Sequence, residues 1–274
     1  MDEVKYVSGE TRIFAIVGHP IEQVRSPEMI TAELVRRGHN AILVPTDVLP
    51  EDFERTVAGL MRVQNLDGLI FTIPFKQAAC ALAGILGDQA LKVGAVNAMA
   101  RNRDGDWVGD IFDGIGCVEA FRNRSLTFED RRVMLIGAGG AGRAIAVAVA
   151  QQRPRAIKIF DIEGKRATDL VETIAAIDPR IDASFGKPIL DDVDILLNAS
   201  PVGMLSDPRA PIEAQQIPSD VVVFDAIVKP ELTTLLTIAQ QSGCRTIFGR
   251  EMMRGQIKKI VDFFESRGGK ADLA

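Results

Sequence analysis

The sequence is poor in the residues that build metal and disulfide sites. Its three cysteines, Cys80, Cys117 and Cys244, lie far apart with no C-x-x-C, and His19 and His39 are the only histidines. That spacing excludes a disulfide framework and a zinc site. No metal site is expected, and carboxylate-held Mg²⁺ is the one metal chemistry left open. A basic excess is also missing: 32 Lys and Arg stand against 37 Asp and Glu, a net charge of -5. Without a Lys/Arg-rich stripe or polybasic tail, neither nucleic acid nor a membrane surface is an expected partner. Residues 1–12 are polar and charged, unlike a secretory leader. Long apolar runs are absent too. The most apolar stretch, 133–150, is broken by Gly137, Gly139, Gly140, Gly142 and Arg143, whereas a bilayer span needs ~20 mainly apolar residues. These absences point to a soluble, cytoplasmic protein, expected as a monomer or homodimer.

What is present is an ordinary globular composition, 47% hydrophobic and 25% charged over 274 residues. That length suits one large domain or two smaller ones. Short β-rich runs alternate with helical ones. Strands are expected at 13–17, 41–44 and 69–71, with helices over 27–37, 50–63 and 75–86 between and after them. The Asp104-Gly105 pair between two short runs marks a hairpin. A helix follows over 114–122, then a polar connection to residue 132. A second series has strands at 133–136, 156–160, 195–197, 221–224 and 246–248, with helices over 143–152, 166–176, 232–241 and 252–264. Repeated β-α units argue for an α/β fold with parallel sheets, here as two α/β domains dividing near residue 112.

Gly137-Ala138-Gly139-Gly140-Ala141-Gly142 fits G-x-G-x-x-G and lies between an apolar strand and an Ala/Val-rich helix. In that context the glycines allow a tight turn, close approach of a pyrophosphate and close helix packing. The helix N-terminus attracts the phosphates. Asp161 closes the next strand, where a carboxylate accepts from the ribose hydroxyls of NAD and repels a 2′-phosphate. It also suits a helix N-cap, and the two roles can coexist. Lys165 and Arg166 nearby leave room for NADP, so NAD is the preferred but not exclusive expectation. Lys76, after Thr72-Ile73-Pro74-Phe75, stands at the end of an apolar strand, where α/β folds place ligands. Taken singly, Lys76 and Asp113 read as solvated surface charges.

Together with their surroundings they resemble the shikimate/quinate dehydrogenase family over nearly the whole chain. The matching elements are Val17-Gly18-His19-Pro20-Ile21 through Ser26-Pro27, Thr72-Ile73-Pro74-Phe75-Lys76 (T-V-P-F-K) and Gly94-Ala95-Val96-Asn97 (G-A-V-N). Further along come Gly109-Asp110-Ile111-Phe112-Asp113-Gly114 (G-D-N-T-D-G), Gly137 to Gly142, Asn198-Ala199-Ser200-Pro201-Val202-Gly203-Met204 (N-A-T-P-x-G-M) and Met252-Met253-Arg254-Gly255-Gln256 (M-L-x-x-Q). The resemblance implies a substrate domain of residues 1–112 and 249–274 and a Rossmann NAD(P)-binding domain of 113–248, with the last helix packing back on the first. It implies a small-molecule substrate, reversible oxidation of a ring secondary alcohol, and Lys76 with Asp113 as the proton-transfer pair. Ser26, Thr72, Asn97 and Gln256 are the implied substrate contacts, although Ser26 serves equally well as an N-cap before Pro27. Gly137, Ala138, Gly139, Gly140, Ala141, Asp161, Arg166, Ser200 and Gly249 are the implied cofactor contacts.

The sequence departs from the family at positions that are polar there. Val24 replaces the first serine of S-x-S, Ile70 an asparagine, Ile111-Phe112 the N-T pair, and Val228 a tyrosine. In the family the serine pair and the tyrosine hold the substrate's carboxylate. Their loss raises an alternative, the same chemistry on a less polar cyclic alcohol. A second alternative is a non-catalytic sensor of dinucleotide and ligand, against which the retention of Lys76 and Asp113 argues. Folate-linked and tRNA-linked reductases rank last, since neither explains the T-I-P-F-K element together with Gln256.

Overall fold

A computed structural model of the chain describes residues 7–22, 24–212 and 217–267. Two compact units are present, Met1–Phe112 with Ile257–Ala274, and Asp113–Gln256.

In the first unit the chain runs β1 (Arg12–Gly18), α1 (Ser26–Arg36), β2 (Ala41–Asp47), α2 (Phe53–Leu60), β3 (Leu66–Phe71), α3 (Lys76–Leu82), β4 (Ile85–Leu86), α4 (Asp88–Val93), β5 (Ala98–Arg101) and β6 (Trp107–Asp110). The sheet order is β2-β1-β3-β5-β6-β4. β1 pairs in parallel with β2 and β3, β5 and β6 form the hairpin expected from Asp104-Gly105, antiparallel to each other, and β5 also pairs antiparallel with β3. The sheet is therefore mixed and not wholly parallel as the repeated β-α units suggest, because the hairpin brings β5 antiparallel onto β3. Its core gathers Ala15, Val17, Leu69, Phe71 and Met99 under Phe53, Phe75 and Trp107. Phe53 stacks on Phe75 with ring centroids 4.3 Å apart.

The second unit contains α5 (Asp113–Arg122), β7 (Arg132–Ile136), α6 (Gly140–Ala150), β8 (Ala156–Phe160), α7 (Gly164–Ile177), β9 (Asp182–Phe185), β10 (Ile195–Asn198), β11 (Val222–Asp225), α8 (Thr234–Gln241), β12 (Arg245–Ile247) and the start of α9 (Gly249–Arg267). The strand order is β12-β11-β10-β7-β8-β9, and every pairing is parallel. In chain order this is 6-5-4-1-2-3, the doubly wound dinucleotide-binding order, whose switch point lies between β7 and β10. The α/β reading with a Rossmann half is met.

The last helix is divided differently from the sequence expectation. Residues 249–256 pack within the second unit and only 257–267 within the first. The reason is a close approach between α5 and α9. A Cβ on Gly116 would lie 2.6 Å from the Met252 carbonyl oxygen, and one on Gly255 would lie 2.8 Å from that of Gly116. Met252 joins the second core, whereas Phe264 meets Phe14 of the first with centroids 4.6 Å apart. Among the described residues no helix is long and apolar enough to cross a membrane.

Candidate active site

In the first unit the carboxyl ends of β1 and β3 lie side by side, with Val17 opposite Phe71. The Thr72 N–H donates to the Val17 carbonyl (3.0 Å), and the Thr72 carbonyl accepts from the Phe75 N–H (2.8 Å). These bonds fix the turn that delivers Lys76 as the first residue of α3. Lys76 is half-buried, and its carbonyl accepts from the Val96 N–H at 2.8 Å. The buried Asn97 is held on three sides. Its carbonyl accepts from Phe71 (2.9 Å), its N–H donates to the Asp110 carbonyl (3.0 Å), and its Oδ1 accepts from the Phe112 N–H (3.0 Å). Thr72, Lys76 and Asn97 thus gather around the end of β3.

Ser26 opens α1, half-buried. It is not the N-cap: that position is Arg25, which makes no side-chain cap bond. The helix starts at Ser26 itself, and Pro27 in the first turn has no N–H that needs an acceptor. The positions that lack family donors are hydrocarbon in fact as well as in sequence. Ile70 and Ile111 are buried, and Phe112, 7% exposed, packs on Phe263 with centroids 5.2 Å apart. Val24 is half-buried.

In the second unit, Asp113 is the first residue of α5 and is 3% exposed. Gly116 lies one turn on, on the same helix face, and Gln256 of α9 stands over it, since a Cβ on Gly116 would be 3.1 Å from that of Gln256. Asp113 and Gln256 are thereby placed on one side of α5.

The glycine turn lies at the switch point. Gly137 has φ +95°, a left-handed conformation that favours glycine, and its N–H donates to the Phe160 carbonyl at 2.8 Å. A Cβ there would strike the Ser200 backbone nitrogen at 2.7 Å. The turns after β7 and β10 therefore touch. Gly139 caps α6 and would meet nothing within 4 Å if a Cβ were added. Open space thus lies above the N–H groups of Gly140 and Ala141 at the helix start, which suits a pyrophosphate.

Asp161 ties the next strand to this turn. Its Oδ2 accepts from the Ala138 N–H at 2.6 Å and its Oδ1 from the Glu163 N–H at 2.8 Å. The N-cap of α7 is Glu163, without a side-chain cap bond, so Asp161 precedes the helix rather than capping it. Arg166 pairs with Glu163 (2.9 Å) and Lys165 with Asp169 (2.9 Å). Beside Asp161 the side chain of Ile162 is 93% exposed. Gly249 opens α9 against the Ala226 and Ile227 carbonyls, which leave no room for a Cβ.

Sequence reasoning missed a polar network at the ends of β10 and β11. The Asp225 carboxylate, 0% exposed, accepts from Thr233 Oγ1 (2.7 Å), Asn198 Nδ2 (3.1 Å) and the Ile227 N–H (3.1 Å). Burial pushes its carboxyl above the usual range, and the donors from Thr233, Ile227 and Asn198 oppose that rise. Asn198 Oδ1 accepts from both the N–H (3.1 Å) and the hydroxyl (2.7 Å) of Ser200. Among the described residues no group of three or more His, Cys, Asp or Glu side chains is placed to hold a metal ion.

Comparison with known proteins finds relatives over nearly the whole chain. The family model described as shikimate dehydrogenase substrate binding domain matches residues 16–99. A shikimate dehydrogenase (NADP(+)) of Rubrobacter xylanophilus is 32% identical, over 91% of this chain and 89% of its own length. The solved shikimate 5-dehydrogenase of Listeria monocytogenes, in complex with shikimate and NAD, superposes with a TM-score of 0.83 at 27% identity, covering 95% of this chain and 93% of that one. A ligand-free 5-ketofructose reductase of Gluconobacter sp. strain CHM43 gives 0.81 at 26% identity, covering 94% of each chain. The chain belongs to the shikimate dehydrogenase family and is an NAD(P)-dependent oxidoreductase.

Proposed function

We propose that the chain oxidises, reversibly, a ring secondary alcohol of the shikimate or quinate class, with NAD preferred to NADP. What supports this reading is found in each unit by itself: a half-buried Lys76 fixed at the start of α3 in the first, and a buried Asp113 at the start of α5 in the second. A bound nicotinamide dinucleotide supplies the hydride acceptor. Lys76 takes the proton of the substrate hydroxyl and Asp113 orients that exchange, in the role of a general acid/base pair. Ser26, Thr72, Asn97 and Gln256 hold the substrate. Gly137 to Ala141, Ser200 and Gly249 receive the dinucleotide, with Asp161 on its adenosine ribose and Arg166 beside it. The NAD preference rests on Asp161 and on the commitment of Lys165 and Arg166 to Asp169 and Glu163, which leaves a 2′-phosphate facing net negative charge.

A second reading concerns the substrate. The hydrocarbon at Val24, Ile70, Ile111, Phe112 and Val228 favours an alcohol less polar than shikimate, or one without its carboxylate. Each missing charge-assisted hydrogen bond is worth about 1.5–3 kcal/mol of binding. The resemblance to a reductase named for a ketose is in keeping with a family that accepts more than one substrate class.

The test is the initial rate of NAD and NADP reduction with shikimate, quinate and less hydroxylated cyclic alcohols, in wild type and Lys76→Ala. We expect turnover that falls roughly 10²–10⁴-fold in the variant while dinucleotide affinity holds. Turnover unchanged in Lys76→Ala would remove the acid/base assignment. Efficient shikimate oxidation would dismiss the second reading, and a less polar alcohol preferred to shikimate would establish it.

A further inference from the structure

The buried network around Asp225 carries a direction as well as a set of contacts. Asp225 Oδ1 accepts the Ile227 N–H, a donor that cannot be reversed, and the same oxygen meets the side-chain amide of Asn198. The end of that amide facing it must therefore be the NH₂ group, which also donates to the Val202 carbonyl at 3.1 Å. Fixing the amide this way leaves Asn198 Oδ1 facing Ser200. A carbonyl oxygen only accepts, so the Ser200 hydroxyl must spend its one proton there, at 2.7 Å. Its lone pairs are what remain, and one of them meets the Val202 N–H at 3.3 Å.

We infer that Asp225 is a positioning residue that acts through Asn198 to make the Ser200 hydroxyl an obligate acceptor, so that Ser200 receives a donor of the dinucleotide, a ribose hydroxyl or the carboxamide NH₂, and never a phosphate oxygen. The inference rests on the proposed placement of the dinucleotide at the Gly137 turn, which touches Ser200. It assigns work to a fully buried carboxylate that the proton-transfer chemistry does not use. Burying such a group is costly unless its hydrogen bonds are complete, and here they are spent on the turn that bears Ser200.

The test is a double-mutant cycle read as NAD dissociation constants of folded protein. Ser200→Ala and Asp225→Ala are each expected to weaken NAD binding by about three- to tenfold, the span of one ordinary hydrogen bond. The double variant should be little weaker than either single one, because the two act along one path. Where Asp225→Ala does not accumulate as folded protein, Asn198→Ala replaces it in the cycle with the same expectation. An analogue with an acetyl group in place of the carboxamide separates the donors. If the carboxamide is the donor, Ser200→Ala costs the analogue nothing further, and if a ribose hydroxyl is, both dinucleotides lose equally. Fully additive losses, or NAD affinity unchanged in Ser200→Ala, would overturn the inference. Gly139→Asp, which sets a negative charge in the open space above the α6 N-terminus, tests the placement separately. Unchanged NAD affinity in that variant would overturn the placement and the inference with it, whereas lost affinity there alongside additive cycle losses overturns the inference alone.

Discussion

Single charges set the cofactor preference proposed here. Asp161 spends one oxygen on each of two backbone N–H groups, which holds its negative charge at the mouth of the glycine turn. Arg166 is drawn off by Glu163. Asp161→Asn with Glu163→Gln removes two negative charges and releases the guanidinium toward the phosphate-facing side. The ratio of kcat/KM for NADP over NAD should rise by about 10–100-fold, the equivalent of one or two charge-assisted hydrogen bonds. Steady-state rates with both dinucleotides check it, and a ratio unmoved within about twofold would place the 2′-phosphate elsewhere. At this scale much of the candidate site was legible in the sequence, because Lys76, Asp113, Asp161 and the glycines, whose roles remain proposals, sit in local motifs at strand ends. Asp225 was not. Its partners Asn198 and Thr233 come from separate stretches and meet only once parallel strands set β10 beside β11.

Elements were legible where one apolar period persists and obscure where it does not. The helix expected over 75–86 ends at Leu82, because Gly84 and Gly87 admit a sharp change of direction into the two-residue β4 and then α4. β9 was missed because Asp182–Phe185 is an edge strand with no buried face to impose an apolar alternation. The α5–α9 contact shows what a pattern conceals, since Gly116 and Gly255 read as weak helix positions and act as a close-packing seam. Gly116→Ala should destabilise the protein by about 1–3 kcal/mol by overpacking, seen as a lower denaturation midpoint. A neutral outcome would mean that α9 shifts freely. A second joint lies in the first unit, where Arg37 bonds to Glu33 of α1 and to Asp262 and Glu265 of α9, and His39 to Glu265. Hydrogen bonds from Arg36 and then Arg37 hold the Glu33 carboxyl down at about 2. A carboxyl depressed in the folded state stabilises it above the unfolded value, near 4.3, and that contribution is lost as pH falls toward about 2. Glu33→Gln should therefore cost about 1 kcal/mol at pH 7, screened by solvent. The gap to wild type should narrow from about pH 4.5 downward, which a pH series of urea midpoints measures.

At the scale of the whole chain, the residues of one helix, α9, are divided between the two units. α9 gives Met252 to the second core and, farther along, Phe264 to the first, with no break in its hydrogen-bonded backbone between them. Unfolding of either unit strips that helix of half its packing, and a helix of this length has little stability in water without packing. The expected outcome is thermodynamic coupling. A ligand held by residues of the second unit should stabilise the first as well. The sequence offers a probe, since Trp107 is the only tryptophan and is buried in the first core with the Arg101 guanidinium 5.2 Å above its ring. Saturating a folded protein to about 100 times its dissociation constant adds about 2.7 kcal/mol. With NAD at that level, the Trp107 fluorescence transition in urea should move to higher denaturant by the same amount as the far-UV circular dichroism transition. Coincident shifts in the two probes are the mark of one cooperative unit. A Trp107 transition that stays in place while the dichroism transition moves would show that α9 yields near Gln256, and that the two cores answer to the dinucleotide separately.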